Sequence, residues 1–156
     1  MQAVVLLSDL LSAARVKVPL TATTKDDLLA ELVDLLVADQ CVDEPGEVLR
    51  AVREREAILS TGIGSGVAIP HGKSPVCSGL SIAAGVTSEP VDFDALDGEP
   101  VRLVFLLVGP ETAAGAHIKA LSRISRLVRQ PELRQRLMDA DEAGEFLRAL
   151  RGAERG

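Results

Sequence analysis

Residues 55–73 read Arg-Glu-Ala-Ile-Leu-Ser-Thr-Gly-Ile-Gly-Ser-Gly-Val-Ala-Ile-Pro-His-Gly-Lys. The run passes from a charged helix end, through glycines at alternate positions (Gly62, Gly64, Gly66), into a short apolar strand, Val67-Ala68-Ile69, that stops at Pro70-His71-Gly72. Pro70 has no N–H for a ladder and biases its neighbours out of helix, while Gly72 lets the chain turn away without a side chain in the way. His71, one of two histidines, is therefore expected on a rigid base where a strand ends, facing solvent or a partner.

Alternate glycines let the backbone approach a bulky anion and aim several N–H donors at it, which suits an oxyanion beside His71. The nucleotide motifs built on glycine do not fit. A P-loop ending in Gly72-Lys73-Ser74 and a dinucleotide fingerprint starting at Gly62 both require glycine where Val67 stands. Ser65 lies directly between Gly64 and Gly66, which is not the spacing of a nucleophile elbow.

Outward from this stretch, 156 residues with 47% hydrophobic content suffice for one domain with a full core, expected to span residues 1–156. Three Phe and no Tyr or Trp leave that core to Leu, Val, Ile and Ala, and leave no aromatic platform for stacked bases. A net charge of −6 likewise argues against a nucleic-acid partner, whose phosphates call for clustered Lys and Arg. Cys41 and Cys77 stand far apart, without zinc-ligand spacing, and read as buried or incidental thiols. The apolar start Met1–Leu7 has no basic residue before it and is interrupted by Asp9, and no run reaches membrane-spanning length. A cytoplasmic protein is expected.

Ser8 to Ala14 reads as a short helical turn, and Val16–Leu20 as a half-buried strand kept at an edge by Pro19. Thr23 and Thr24, with Asp26 and Asp27 three residues on, cap a helix whose Leu28, Leu29, Leu32, Leu35 and Leu36 form an apolar stripe ending near Asp39. Pro45-Gly46 starts a second helix that buries Val48, Leu49 and Val52 and ends in charge. Leu80–Val86 alternates as a strand, extended by Val91 and Phe93, and an acidic loop runs from Asp92 to Glu99. Val101–Val108 is almost continuously apolar, as a central strand covered on both faces should be. From Gly115 a long amphipathic helix runs until Pro131, and short helices at Glu132–Asp139 and Glu142–Leu150 close the chain. Buried strands between helices predict a three-layer α/β sandwich around a small mixed β-sheet.

His117 heads the long helix, in line with Leu121 and Ile124, and leans towards the sheet. If strands 67–70 and 101–108 are neighbours, both histidines emerge at one sheet edge, where open α/β folds gather ligands. Taken singly, His71 reads as a loop histidine, His117 as an ordinary helix-start residue, and Arg55 as part of a solvated charged face. Only their combination carries chemistry.

Arg55-Glu56 together with Ser60-Thr61-Gly62-Ile63-Gly64-Ser65-Gly66-Val67-Ala68-Ile69-Pro70-His71-Gly72 resembles the signature of the enzyme IIA domains of the bacterial phosphoenolpyruvate-dependent phosphotransferase system, in their fructose/mannitol/nitrogen-regulatory class. Asp92-Phe93, Leu96-Asp97-Gly98, Val104–Leu107, Pro110, His117 and Leu121 resemble the same family, so the similarity covers roughly the whole chain. The resemblance implies the family's fold, and it implies that His71 accepts a phosphoryl group from the histidine phosphocarrier protein and passes it to an enzyme IIB domain. It also implies that His117 is the second active-site histidine and Arg55 the active-site arginine. No cofactor or metal is expected, and the membrane enters only indirectly, through a IIC permease.

Histidine-to-histidine phosphoryl transfer needs a neutral ring nitrogen as nucleophile, in-line approach, and donors for three equatorial oxygens. N–H groups of Gly62, Gly64, Ser65 and Gly66 are expected to hold phosphate or a docked partner, while Arg55 supplies a fixed fork of donors. His117, near a helix N-terminus, is favoured neutral and can donate one hydrogen bond without becoming a fixed cation. The leading expectation is a phosphocarrier in sugar uptake. The alternative is a nitrogen-type regulator whose phosphorylation state selects a target protein, and a histidine-dependent hydrolase is weaker because no carboxylate predictably adjoins His71.

Overall fold

The computed structural model describes residues 6–39 and 42–155, so the first five residues of the apolar N-terminal run, and Cys41, lie outside it. In chain order, α1 (Leu7–Leu10) and a 3-10 turn at Ala13–Arg15 lead into β1 (Val16–Leu20), α2 (Lys25–Ala38) and α3 (Pro45–Ile58). Three short strands follow, β2 (Gly62–Gly64), β3 (Val67–Ala68) and β4 (His71–Lys73), then the long β5 (Ser81–Val91) and β6 (Val101–Gly109). A 3-10 turn at Glu111–Ala113, α4 (Ala114–Val128), α5 (Pro131–Met138) and α6 (Ala143–Arg155) complete the described chain.

The mixed sheet has the order β1-β5-β6-β3-β2, with β4 also paired to β6. β6 is its axis, antiparallel to β5 and parallel to both β3 and β4. Alternation along β6 sorts side chains into two cores, as a strand's period of two requires. Leu103, Phe105 and Leu107 face α4, α5 and α6, packing against Ile124, Leu133 and Phe146. Val104, Leu106 and Val108 face α2 and α3, packing among Leu28, Leu32, Val48 and Val52. This is the three-layer arrangement expected from the sequence.

Local chemistry accounts for the element ends. The Thr24 hydroxyl accepts from the Asp27 N–H at 3.2 Å, capping α2, and Pro45 occupies the first turn of α3, where its missing N–H costs nothing. β1 is an edge strand, which tolerates Pro19. Pro131 also opens α5 as well as ending the helix before it.

Several expectations are corrected. The Ser8–Ala14 turn divides into α1 and the separate 3-10 turn, and Phe93 lies beyond β5, buried in the α2–α3 core. The last helix runs on to Arg155. More important for the site, the strand before His71 does not stop there. Pro70 interrupts it, but its carbonyl accepts the Leu107 N–H at 3.0 Å, and pairing resumes with His71 opposite Leu107 and Gly72 opposite Val108. His71 thus opens a strand, held on the central strand of the sheet.

The glycine segment is likewise a strand. β2 pairs antiparallel with β3, and Ser65 and Gly66, both at positive φ (58° and 80°), form the two-residue turn between them. Positive φ at both central residues matches the turn to the strands' right-handed twist.

Candidate functional site

His71 is half-buried at the start of β4, and its Nδ1 lies 2.9 Å from the Ile69 carbonyl oxygen. A carbonyl can only accept, so Nδ1 carries the proton and Nε2 is left with its lone pair. His117, in the first turn of α4, is 4% exposed and its ring packs T-shaped against that of His71, with centroids 5.4 Å apart and planes at 74°. Its Nε2 is buried and has no hydrogen-bond partner. The expected convergence at one sheet edge holds because β4 and β6 are neighbours and α4 follows β6 after a short turn.

Both rings are held neutral. Burial is the largest influence on His71, lowering its pKa; the charges of Arg55 and Lys73 lower it further, against the Ile69 hydrogen bond and Glu56, which raise it. His117 is lowered to about 4, first by burial and then by the charges of His71 and Lys73, opposed by Glu111. The positive end of α4 acts in the same sense. At neutral pH the pair therefore offers one nucleophilic nitrogen beside a second uncharged ring.

Arg55 lies on the last turn of α3, and its guanidinium donates to the Leu59 carbonyl at 2.9 Å. One edge of the planar fork is thereby fixed and the other N–H groups point elsewhere. α3 can lie this close to β4 because Gly72 has no side chain: a Cβ there would stand 3.0 Å from the Val52 nitrogen. Lys73, whose Nζ is 3.8 Å from a Glu111 carboxylate oxygen, adds a second cation acting on both histidines. Sequence reasoning passed over Lys73; its position two residues from His71 on one strand, hence on the same face, was the available signal.

The expected glycine cradle is not brought to His71. The Gly62 N–H is 3.1 Å from the Ser60 hydroxyl and the Ser65 N–H 3.1 Å from an Asp97 carboxylate oxygen, so both are used within the protein. Gly66 offers its carbonyl, to the N–H groups of Arg102 and Leu103. Register places Val67 opposite Leu103 and His71 opposite Leu107, so the turn and the histidine are about 13 Å apart along the strands. Alternate glycines here serve the hairpin and its packing: a Cβ on Gly62 would meet the Ala95 Cβ at 2.6 Å, and one on Gly64 the Asp97 carboxylate at 3.1 Å. A carboxylate at that place repels phosphate.

The large exposed apolar side chains among the described residues are Ile58, Leu59, Ile63, Leu96 and Ile118. Ile58 and Leu59 follow Arg55 at the end of α3, Leu96 reaches β2 through an N–H to the Gly62 carbonyl, and Ile118 adjoins His117. Among the described residues, no helix is long and apolar enough to cross a membrane, and no three His, Cys, Asp or Glu side chains gather as metal ligands.

Residues 9–152 match the family model described as phosphoenolpyruvate-dependent sugar phosphotransferase system, EIIA 2. The chain is 37% identical over 141 residues to a nitrogen regulatory protein of Bradyrhizobium diazoefficiens, covering 88% of this chain and 89% of that one. It is 34% identical over 135 residues to the fructose-specific EIIABC component of the Bacillus subtilis phosphotransferase system, covering 86% of this chain but spanning only 21% of that longer protein. The crystal structure of the nitrogen regulatory protein IIA-Ntr from Neisseria meningitidis superposes with a TM-score of 0.86 at 34% identity, over 92% of this chain and 98% of that one.

Proposed function

This chain belongs to the EIIA type-2 family of the phosphoenolpyruvate-dependent sugar phosphotransferase system, and from that premise we propose that it is a phosphocarrier whose phosphoryl group is held on Nε2 of His71. The observation that carries this is the Nδ1–H of His71 held on the Ile69 carbonyl, which leaves Nε2 free beside the uncharged His117 ring. In the accepting step, the Nε2 lone pair forms a bond to phosphorus as the phosphorus–nitrogen bond of the donor's phosphohistidine breaks. The released electron pair returns to the donor ring. Positive charge developing on His71 is met by the Ile69 carbonyl at Nδ1.

His117 Nε2, buried and unpartnered, is the nitrogen that would donate to a phosphoryl oxygen when protonated at that position, and Arg55 and Lys73 would hold the remaining charge. Arg55, together with a Lys73 balanced by Glu111, suits a carrier, because binding the phosphoryl group too tightly would slow its release. The donor in this reading is the histidine phosphocarrier protein and the acceptor an enzyme IIB component. The apolar residues Ile58, Leu59, Ile63, Leu96 and Ile118 are the surface on which such partners would exclude water. Both cores share one sheet, which supports reading residues 1–156 as a single domain.

A second reading, regulation through the phosphorylation state, is favoured by similarity to nitrogen regulatory proteins over 89% of one relative's length. Onward transfer separates the two. In the carrier reading, a IIB component discharges the phosphorylated protein within a turnover; in the regulatory reading it does not, and phosphorylation instead changes binding to a target protein.

The direct test is incubation with phosphoenolpyruvate, enzyme I and the phosphocarrier protein, followed by intact-mass spectrometry. One acid-labile phosphoryl group is expected on the wild type and none on His71→Ala. Stoichiometric labelling of His71→Ala overturns the assignment.

A further inference from the structure

Glu56 is a buried carboxylate with no place in the transfer step, yet it is 6% exposed and fully engaged. Its Oε2 accepts the Thr61 N–H at 2.9 Å and the Lys25 ammonium at 2.9 Å, and its Oε1 accepts the Thr61 hydroxyl. Lys25 is itself held over the Phe93 ring, 4.6 Å from the centroid, and the Phe93 carbonyl accepts from the Ser60 hydroxyl at 3.2 Å. The short loop between the end of α3 and β2 is thus clamped from both sides.

Two active-site groups hang from that clamp. The Thr61 carbonyl accepts the Ile69 N–H at 3.0 Å, and the carbonyl of the same Ile69 accepts His71 Nδ1–H. Within the loop, the Leu59 carbonyl holds Arg55, the residue next to Glu56. We propose that Glu56 is a positioning residue for phosphoryl transfer: by holding Thr61 it sets the Ile69 carbonyl that fixes the His71 tautomer and the Leu59 carbonyl that aims Arg55. This rests on His71 as the phosphoryl acceptor. A buried carboxylate that has three donors, none of them on the phosphoryl group, costs desolvation, and this geometry gives that cost a function in the site.

The test compares wild type, Glu56→Gln, Thr61→Val and Thr61→Ser, after thermal melts establish which variants fold. Gln keeps the shape of Glu56 but turns a donor towards Lys25 or the Thr61 hydroxyl, while Val puts a methyl in place of the Thr61 hydroxyl and Ser keeps the hydroxyl without the methyl. The primary readout is the His71 tautomer from imidazole nitrogen-15 shifts, a quantity that mere loss of stability does not move. The Nδ1–H form should dominate in wild type and Thr61→Ser and lose that dominance in Glu56→Gln and Thr61→Val. Single-turnover acceptance should fall about tenfold or more in Glu56→Gln, as for a lost charge-assisted contact felt in the transition state. If Glu56→Gln does not fold, the Thr61 pair decides alone. Wild-type tautomer ratios in the folded variants overturn the proposal, whether or not transfer slows. If wild type accepts no phosphoryl group at all, the carrier reading fails and the role in transfer with it, while the tautomer comparison still decides whether Glu56 sets the His71 tautomer.

Discussion

In the proposed carrier, His71, His117 and Arg55 divide the work of a site that must take up charge and give it back. Because burial and the charges of Arg55 and Lys73 lower the His71 pKa, the neutral nucleophile persists below 6.5, and acceptance should be flat near neutrality and decline only in acid. Arg55→Ala removes one of the depressing charges, so the midpoint of that decline should move towards neutral pH. It also removes a planar fork of donors, slowing transfer by about tenfold to a hundredfold if the contact forms in the transition state. Arg55→Lys keeps the charge and loses the fork; single-turnover rates equal to wild type would reduce the role of Arg55 to its field. His117→Ala leaves the nucleophile in place, so His71 should still be phosphorylated, with onward transfer or phosphohistidine lifetime altered. Unchanged rates in both directions would make His117 an ordinary buried helix residue.

At the scale of elements, the site depends on α3 lying against β4. Gly72 permits that approach, since a Cβ would press on the Val52 nitrogen at 3.0 Å and its Cα at 3.2 Å. Gly72→Ala must push α3 back, and Arg55, three residues beyond Val52, moves with it. A destabilisation of about 1–3 kcal/mol is expected from such overpacking, together with slower transfer. Gly79→Ala is the control, because nothing lies within 4 Å of the added methyl. Urea denaturation of the two variants checks the first effect, and wild-type stability and transfer in Gly72→Ala would show that the helix does not need the close approach.

For the whole molecule, neutral buried histidines make stability depend on pH. His117 titrates at about 4 when folded and near its ordinary 6.5 when unfolded, so between those values the unfolded chain binds the extra proton. Stability contributed by the neutral ring is therefore present above 6.5 and lost as pH falls towards 4, by at most about 3 kcal/mol. His71 acts in the same direction. Glu31 does too: burial raises its pKa, but Lys17 and the N–H groups of Thr21 and Ala22 together hold it low, and that stabilisation is lost in acid. Denaturant melts at pH 7.5 and 5 should show the drop in wild type, and His117→Leu should show a smaller one. An equal drop in both would place the acid sensitivity elsewhere.

By itself the sequence determined what depends on periodicity and on local backbone chemistry. Continuous apolarity marked β6 as central, alternation marked β1 and β5, stripes of Leu marked the helices, and Pro and Thr marked their starts, because each signal acts within a few residues. His71 and His117, 46 positions apart, were legible as a pair only on the assumption that their strands are neighbours. Tertiary structure decided that pairing, since it depends on which strands exchange hydrogen bonds across the sheet. It also decided the fate of the glycines, which have the same spacing whether they cradle an anion or turn a hairpin; positive φ at Ser65 and Gly66 and the Asp97 carboxylate 32 residues away settled it as a hairpin. Glu56 was the least legible of all. In sequence it belongs to the charged tail of a helix, and only Lys25 and Thr61, arriving from α2 and the edge of β2, turn it into a buried and satisfied carboxylate beside the site. Burial and partners are properties of contacts between distant segments, and no local pattern encodes them.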